Sequence, residues 1–216
     1  MKLEICTVKF TDLKLTPRYA EKLRGYIGNK YKEIDLLHNH NQNKLIYRYP
    51  LVQYKIINSK PIIMGINDGI NIVSKIGLKD DELILDGINY ETFQKEINKS
   101  NFNFGCTEDY LEYEFKTAWI ALNQKNISQY NKGSKIQKEE ILKKILIGNL
   151  IAISKGLKYN VTEEIHAWID LKEKDVNFKG IKHTAFIGKF KVNFNIPDYL
   201  GIGKSVSRGF GTIKKI

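Results

Sequence analysis

With 216 residues the chain can form one large domain or two small ones, each with a modest core. Its 35 lysines and arginines against 24 acidic residues give a net charge of +11, which favours a polyanionic partner because each neutralised phosphate releases counterions. No apolar run approaches the roughly 18 residues of a membrane span, and Cys6 and Cys106 have neither CxxC spacing nor a preceding signal peptide, so they read as reduced thiols of a soluble, cytoplasmic protein.

Lys2 to Phe10 is rich in residues that suit a strand. A helix is expected after it, with Thr16 as N-cap and Pro17 at the first helical position; Tyr19, Leu23, Tyr26 and Ile27 form its apolar stripe. Lys30 continues that stripe, which directs its ammonium toward the sheet side. A polar loop, His38-Asn39-His40-Asn41-Gln42-Asn43, follows. Strand-like text runs from Leu45 to Ile57, broken by Pro50, and again from Pro61 to Ile66. Asn67 or Asp68 can cap a short helix carrying Ile70, Val73 and Ile76 inward, and Glu82 to Leu85 fits a closing strand. The resulting order, β-α-β-β-α-β, is the ferredoxin-like plan that RNA-recognition motifs share.

Ile88 to Gly105 is polar and rich in asparagine, which suggests a boundary with some helix around Thr92 to Ile97. A strand then opens with Leu111, Tyr113 and Phe115 on one face and Glu112, Glu114 and Lys116 on the other. A long helix is expected from Ser134, burying Ile141, Leu142, Ile145, Leu146 and Ile153. Two further strands read as Ile165, Ala167, Ile169, Leu171 and as Phe186, Gly188, Phe190, Val192, Phe194. A glycine-rich loop and a short strand near Thr212 to Lys214 end the chain. The fold class is therefore α+β, two tandem ferredoxin-like domains over residues 1–105 and 106–216, the second ending in a C-terminal glycine-rich loop.

From Asn177 onward the basic residues are Lys179, Lys182, Lys189, Lys191, Lys204, Arg208, Lys214 and Lys215, against the single acid Asp198. A generally lysine-biased composition does not explain so one-sided a tail. Within it lies Gly201-Ile-Gly203-Lys204-Ser205-Val-Ser207-Arg208-Gly209-Phe-Gly211. Its glycines let backbone N–H groups approach a phosphate, while Lys204, Arg208 and the hydroxyls of Ser205 and Ser207 add donors. The spacing is that of neither a P-loop nor a dinucleotide fingerprint; the alternative is a flexible turn. Lys189 and Lys191 share the face of their strand opposite Phe190 and are the next candidates for an RNA groove.

This terminal loop, of form G-φ-G-x(5)-G-φ-G, resembles the signature loop of the CRISPR-associated RAMP superfamily. The segment Leu111-Glu-Tyr-Glu-Phe-Lys-Thr117 is similar to the strand that opens the second half of its repeat-RNA-processing endoribonucleases. The His38-Asn-His40 loop followed by Tyr47 resembles the active-site region of their I-B-like branch. The resemblance implies cleavage of CRISPR precursor repeat RNA without a cofactor, leaving 2′,3′-cyclic phosphate and 5′-hydroxyl ends. Other effector-complex subunits and a second copy of the chain are the further partners it allows.

Independently of the family, two histidines can supply the base and the acid that metal-free RNA cleavage needs, each typically worth 10²–10⁴-fold. They can equally be solvated loop residues. A His-x-His zinc site would need further ligands; Asp35 is near, whereas His166 and His183 lie far off in predicted strands, where they read as packing or surface residues. Lys30 can stabilise charge on the scissile phosphate or merely cap its helix. Tyr47 can donate to a phosphate oxygen or serve as a sheet aromatic. The rival functions are a non-catalytic guide-RNA-binding subunit and a general RNA-binding protein with RRM-like sheets.

Overall fold

A computed structural model describes the chain apart from Asn39, Gln42, Asn43, Ile46, Tyr47 and Arg48 and the side chains of His38, His40, Asn41, Lys44 and Leu45. Two compact units are present: Lys2–Phe102 with Val206–Gly209, and Met1 with Asn103–Ser205 and Phe210–Ile216.

The N-terminal unit runs β1 (Lys2–Phe10), α1 (Tyr19–Lys30), α2 (Asp35–His38), β2 (His40–Asn41), β3 (Lys44–Leu45), β4 (Val52–Ile57), β5 (Lys60–Ile66), α3 (Ile70–Lys79), β6 (Glu82–Leu85), β7 (Ile88–Glu91) and β8 (Lys95–Asn103). Its main sheet has the order β4-β5-β1-β8, the ferredoxin-like arrangement. Alternation sends Cys6, Val8, Val52, Tyr54, Ile56 and Ile63 to one face, where they pack with Leu23 and Ile27 of α1 and Val73 and Ile76 of α3. Each such fully buried aliphatic side chain contributes about 1.5–3 kcal/mol.

Four expectations change here. Thr16 and Pro17 form i→i+3 turns to Tyr19 and Ala20, so α1 begins two residues after Pro17, with Arg18 at its N-cap. Asn67 and Asp68 do not cap α3: they lie in a 3₁₀ turn, and the Asn67 Oδ1 accepts from the Glu4 N–H at 3.1 Å. The closing strand is β8 rather than Glu82 to Leu85, and no helix occurs at Thr92 to Ile97. Asp86 and Gly87, with φ of 52° and 78°, turn β6 back onto β7 as a separate hairpin, the geometry that Asp-Gly favours. β8 is an edge strand with most side chains in solvent, so its sequence reads like a linker.

The C-terminal unit runs β9 (Gly105–Trp119), α4 (Ile127–Lys132), α5 (Lys135–Gly156), β10 (Ala167–Phe178), β11 (Ile181–Asn195) and β12 (Ile213–Lys215). Its sheet order, β10-β11-β9-β12, repeats the ferredoxin-like plan, with the glycine-rich segment in place of the second crossover helix. Ser134 caps α5 reciprocally with Gln137, as the capping box requires. Leu142, Leu146, Leu150 and Ile153 are the buried stripe of α5, while Ile141 and Ile145 stay partly exposed at its margin. Stacked rings fill the core below: Tyr113 on Phe190 at 5.4 Å and Phe115 on Trp119 at 5.2 Å.

The β4–β5 part of the second face of the N-terminal sheet is also buried, and Gln53 and Lys55 lie in it among Ile62, Met64 and Ile66. The Lys55 ammonium donates to Gln53 Oε1 at 2.7 Å. Burial brings its pKa down from 10.5 to about 7. Between those values the unfolded chain binds the proton and the folded chain does not, so stability rises with pH across that window and the gain is lost as pH falls toward 7. Lys55→Met is expected to flatten this slope, checked by urea unfolding at several pH values within the window. An unchanged slope would place the titration elsewhere.

Candidate nucleic-acid interface and catalytic loop

Lys30 ends α1 and meets Asp80, the residue that ends α3. Its ammonium lies 3.0 Å from Asp80 Oδ1, to which Tyr31 Oη also donates at 2.8 Å. Asp80 is 3% exposed and Lys95 donates to its carbonyl at 2.7 Å, which fixes the carboxylate in place. Burial pulls the Lys30 pKa down, but the Asp80 hydrogen bond and charge more than offset it and the net shift is upward. Burial and the same carboxylate push Tyr31 up to about 12. Lys30 is thus held as a fixed cation, suited to stabilising negative charge and unsuited to accepting a proton. Asp80 was not apparent from the sequence, where it stands as an ordinary acid beside Asp81.

α2 follows α1 closely and ends at His38, and His40 opens β2, which pairs with β3 through His40 opposite Leu45. The side chains of His38 and His40, and all of Tyr47, lie outside the described residues. Among the described residues no group of three or more His, Cys, Asp and Glu is placed to hold a metal ion. His166 and His183 both belong to the C-terminal unit. The His166 backbone N–H donates to Asn193 Oδ1 at 2.7 Å, and the His183 ring lies 6.1 Å from that of Phe178.

The glycine-rich loop is shaped by packing. Gly203 has φ +90°, and a Cβ there would come within 2.5 Å of Trp119 Nε1. Gly209 has φ +88° and sits in the N-terminal unit, where a Cβ would meet Ala20 at 2.9 Å and the Tyr54 carbonyl at 3.1 Å. Gly201 is bridged to Thr212, and Gly211 donates to the Ala118 carbonyl at 2.9 Å. Lys204 donates to the Leu122 carbonyl at 2.6 Å, and the partial burial of its ammonium lowers its pKa. Arg208 Nε lies 3.3 Å from Glu21 Oε1, and its guanidinium is near enough to Arg24 to add to the burial that depresses the Arg24 pKa. Ser205, at φ 58°, takes the left-handed conformation without a glycine.

Lys189 and Lys191 stand on the face of the C-terminal sheet away from α5. Lys191 is registered between Trp168 and Glu112, and Lys189 between Asp170 and Glu114, with Lys189 3.9 Å from Glu112. By strand alternation Lys116, Lys172, Lys174 and Lys214 share that face, so its ammonium groups outnumber the carboxylates of Glu112, Glu114 and Asp170. On the same face the rings of Tyr110 and Trp168 meet edge to face at 4.8 Å.

Comparison with known proteins covers the whole chain. Residues 1–103 match the Cas6b N-terminal domain family and residues 105–216 the Cas6b C-terminal domain family. A crystal structure of Cas6b superposes with a TM-score of 0.97 at 42% identity over all of both chains. A second, of the CRISPR RNA processing endoribonuclease Cas6b, gives 0.82 at 38% identity, again over all of both chains. An uncharacterised protein of Methanocaldococcus jannaschii is 40% identical over 145 residues, 67% of this chain and 99% of its own length. Both halves match in chain order and in fold, and the chain belongs to the Cas6b family.

Proposed function

We propose that the chain is a metal-independent endoribonuclease that cuts CRISPR repeat RNA once per repeat to yield mature guide RNA. The observation that carries this reading is the full-length likeness to the Cas6b structures, one of which is a CRISPR RNA processing endoribonuclease. In the proposed reaction the 2′-oxygen next to the scissile phosphate attacks phosphorus. One of His38 and His40 takes the 2′-proton, and the other protonates the departing 5′-oxygen as the P–O5′ bond breaks. The products are a 2′,3′-cyclic phosphate and a 5′-hydroxyl, and no water is consumed. Lys30, held by Asp80, supplies a fixed positive charge for the phosphorane oxygens, and Tyr47 donates to one of them or orients a histidine. The Gly201–Gly211 loop, through Lys204, Ser205 and Arg208, binds the RNA backbone together with Lys189 and Lys191. The reading extends to a cytoplasmic location, with other effector subunits and a second copy of the chain as further partners.

His40→Ala is expected to lower the single-turnover cleavage rate by at least about 10²-fold with RNA affinity nearly unchanged, and His38→Ala by as much or less. A double alanine variant that cuts at the wild-type rate would remove both from the mechanism.

Cleavage is expected to persist in excess EDTA and to stop when the nucleotide before the scissile phosphate is 2′-deoxy. Continued cutting of that substrate would mean a water nucleophile.

Lys204→Ala with Arg208→Ala is expected to weaken RNA binding by about 1–3 kcal/mol. The log-log salt slope on single-stranded RNA falls by about 1.4 if both cations reach phosphates. Unchanged affinity and slope in a folded variant would give Lys204 and Arg208 a structural role, through contacts such as those to Leu122 and Glu21.

A further inference from the structure

The open face of the C-terminal sheet carries a ring pair that the catalytic reading does not use. Along β10 the residues Ala167, Ile169 and Leu171 turn toward α5, and Trp168 takes the opposite phase. It is 49% exposed, and Tyr110, from β9, is 45% exposed. β11 separates their strands, yet the two rings meet above it at 4.8 Å and 82°. A large indole left in water at a strand position forgoes much of its hydrophobic stabilisation. The neighbouring outward positions of β10 and β11 carry Asp170, Lys172, Lys189 and Lys191, so a bare tryptophan here is not part of an apolar surface.

The two rings meet edge to face, and each stays nearly half exposed. Stacking a base on a ring already held in place costs little side-chain entropy. Aromatic side chains on an open four-stranded sheet are the means by which RNA-recognition modules stack unpaired bases, and flanking cations track the phosphates. The lysine excess on this face matches a polyanion. A protein partner fits less well, because the buried cores of protein interfaces are depleted of lysine and carboxylate side chains, which here surround the rings.

We propose that Trp168 and Tyr110 form a stacking platform for an unpaired base of bound RNA, with Lys191 and Lys189 holding the adjoining phosphates. The proposal rests on RNA being the ligand and adds a binding site apart from the histidine loop and the glycine-rich loop.

The test is a titration of the full chain with short single-stranded oligoadenylate, followed by tryptophan emission and by fluorescence anisotropy of the labelled oligonucleotide. The only other tryptophan, Trp119, is buried. Emission is expected to be quenched on binding, and Trp168→Ala is expected to lose the quench and bind about 5- to 150-fold more weakly. Trp168→Tyr, which retains a flat ring and guards against misfolding of the alanine variant, is expected to recover most of the affinity. Wild-type affinity in a folded Trp168→Ala variant, or quenching that follows protein concentration and not oligoadenylate, overturns the platform. Cutting of repeat RNA by the wild-type chain is scored separately. A chain that cuts without the quench keeps the nuclease and loses the platform; a chain that is quenched without cutting does the reverse.

Discussion

A four-stranded sheet with helices on one side has a second side that must be buried or made wettable, and the two units answer this differently. In the N-terminal unit the β4–β5 part of the second face is buried, closely enough to enclose Gln53 and Lys55 and to bring the Lys55 pKa down to about 7. In the C-terminal unit the same face is open and carries alternating lysines and carboxylates with Trp168 and Tyr110 between them. One backbone plan therefore provides a largely buried face in the first case and an exposed, net-positive surface in the second.

Within the N-terminal block, Asp80 does for the end of the unit what the core does for the sheet. A nearly buried carboxylate is costly unless paired, and here the end of α1 answers with the Lys30 ammonium and the Tyr31 hydroxyl on one oxygen. That pairing fixes where α1 stops relative to α3, and α2 with His38 begins four residues after Tyr31. The ionic contact and the proposed catalytic segment are thus adjacent along the chain.

Much of this was legible in the sequence because period-2 and period-3.6 patterns report burial directly. The alternation around Tyr113 and Phe190 and the Ser134 start of α5 are found where the patterns put them. β8 is not legible because an edge strand in solvent needs no alternating apolar set, and the Asp86-Gly87 turn sends β6 back onto β7 and out of the main sheet. The glycine-rich loop is legible as a motif, but the sequence alone suggests phosphate approach as the reason for its glycines. Packing explains Gly203 and Gly209 without a ligand, a distinction that needs the positions of Trp119, Ala20 and Tyr54. Asp80 and the Trp168–Tyr110 pair are tertiary facts: residues from three separated segments meet at the first and rings from non-adjacent strands at the second.

The cations follow the same division. Lys204 and Arg208, which looked most like free phosphate binders, already contact a carbonyl and a carboxylate. In the proposed complex, RNA at the loop would exchange one partner for another, and the net gain per contact would be smaller than the full strength of a charge-assisted hydrogen bond. Lys191 lies in a register row with one carboxylate, Glu112, and one ring, Trp168, and is exposed. A phosphate that reaches it meets a cation without first dismantling a buried contact. A basic loop held by its own protein gives shape, and lysines on an open sheet face give reach. In the proposed RNA complex, therefore, the residues that look most basic in the sequence need not supply the largest share of affinity.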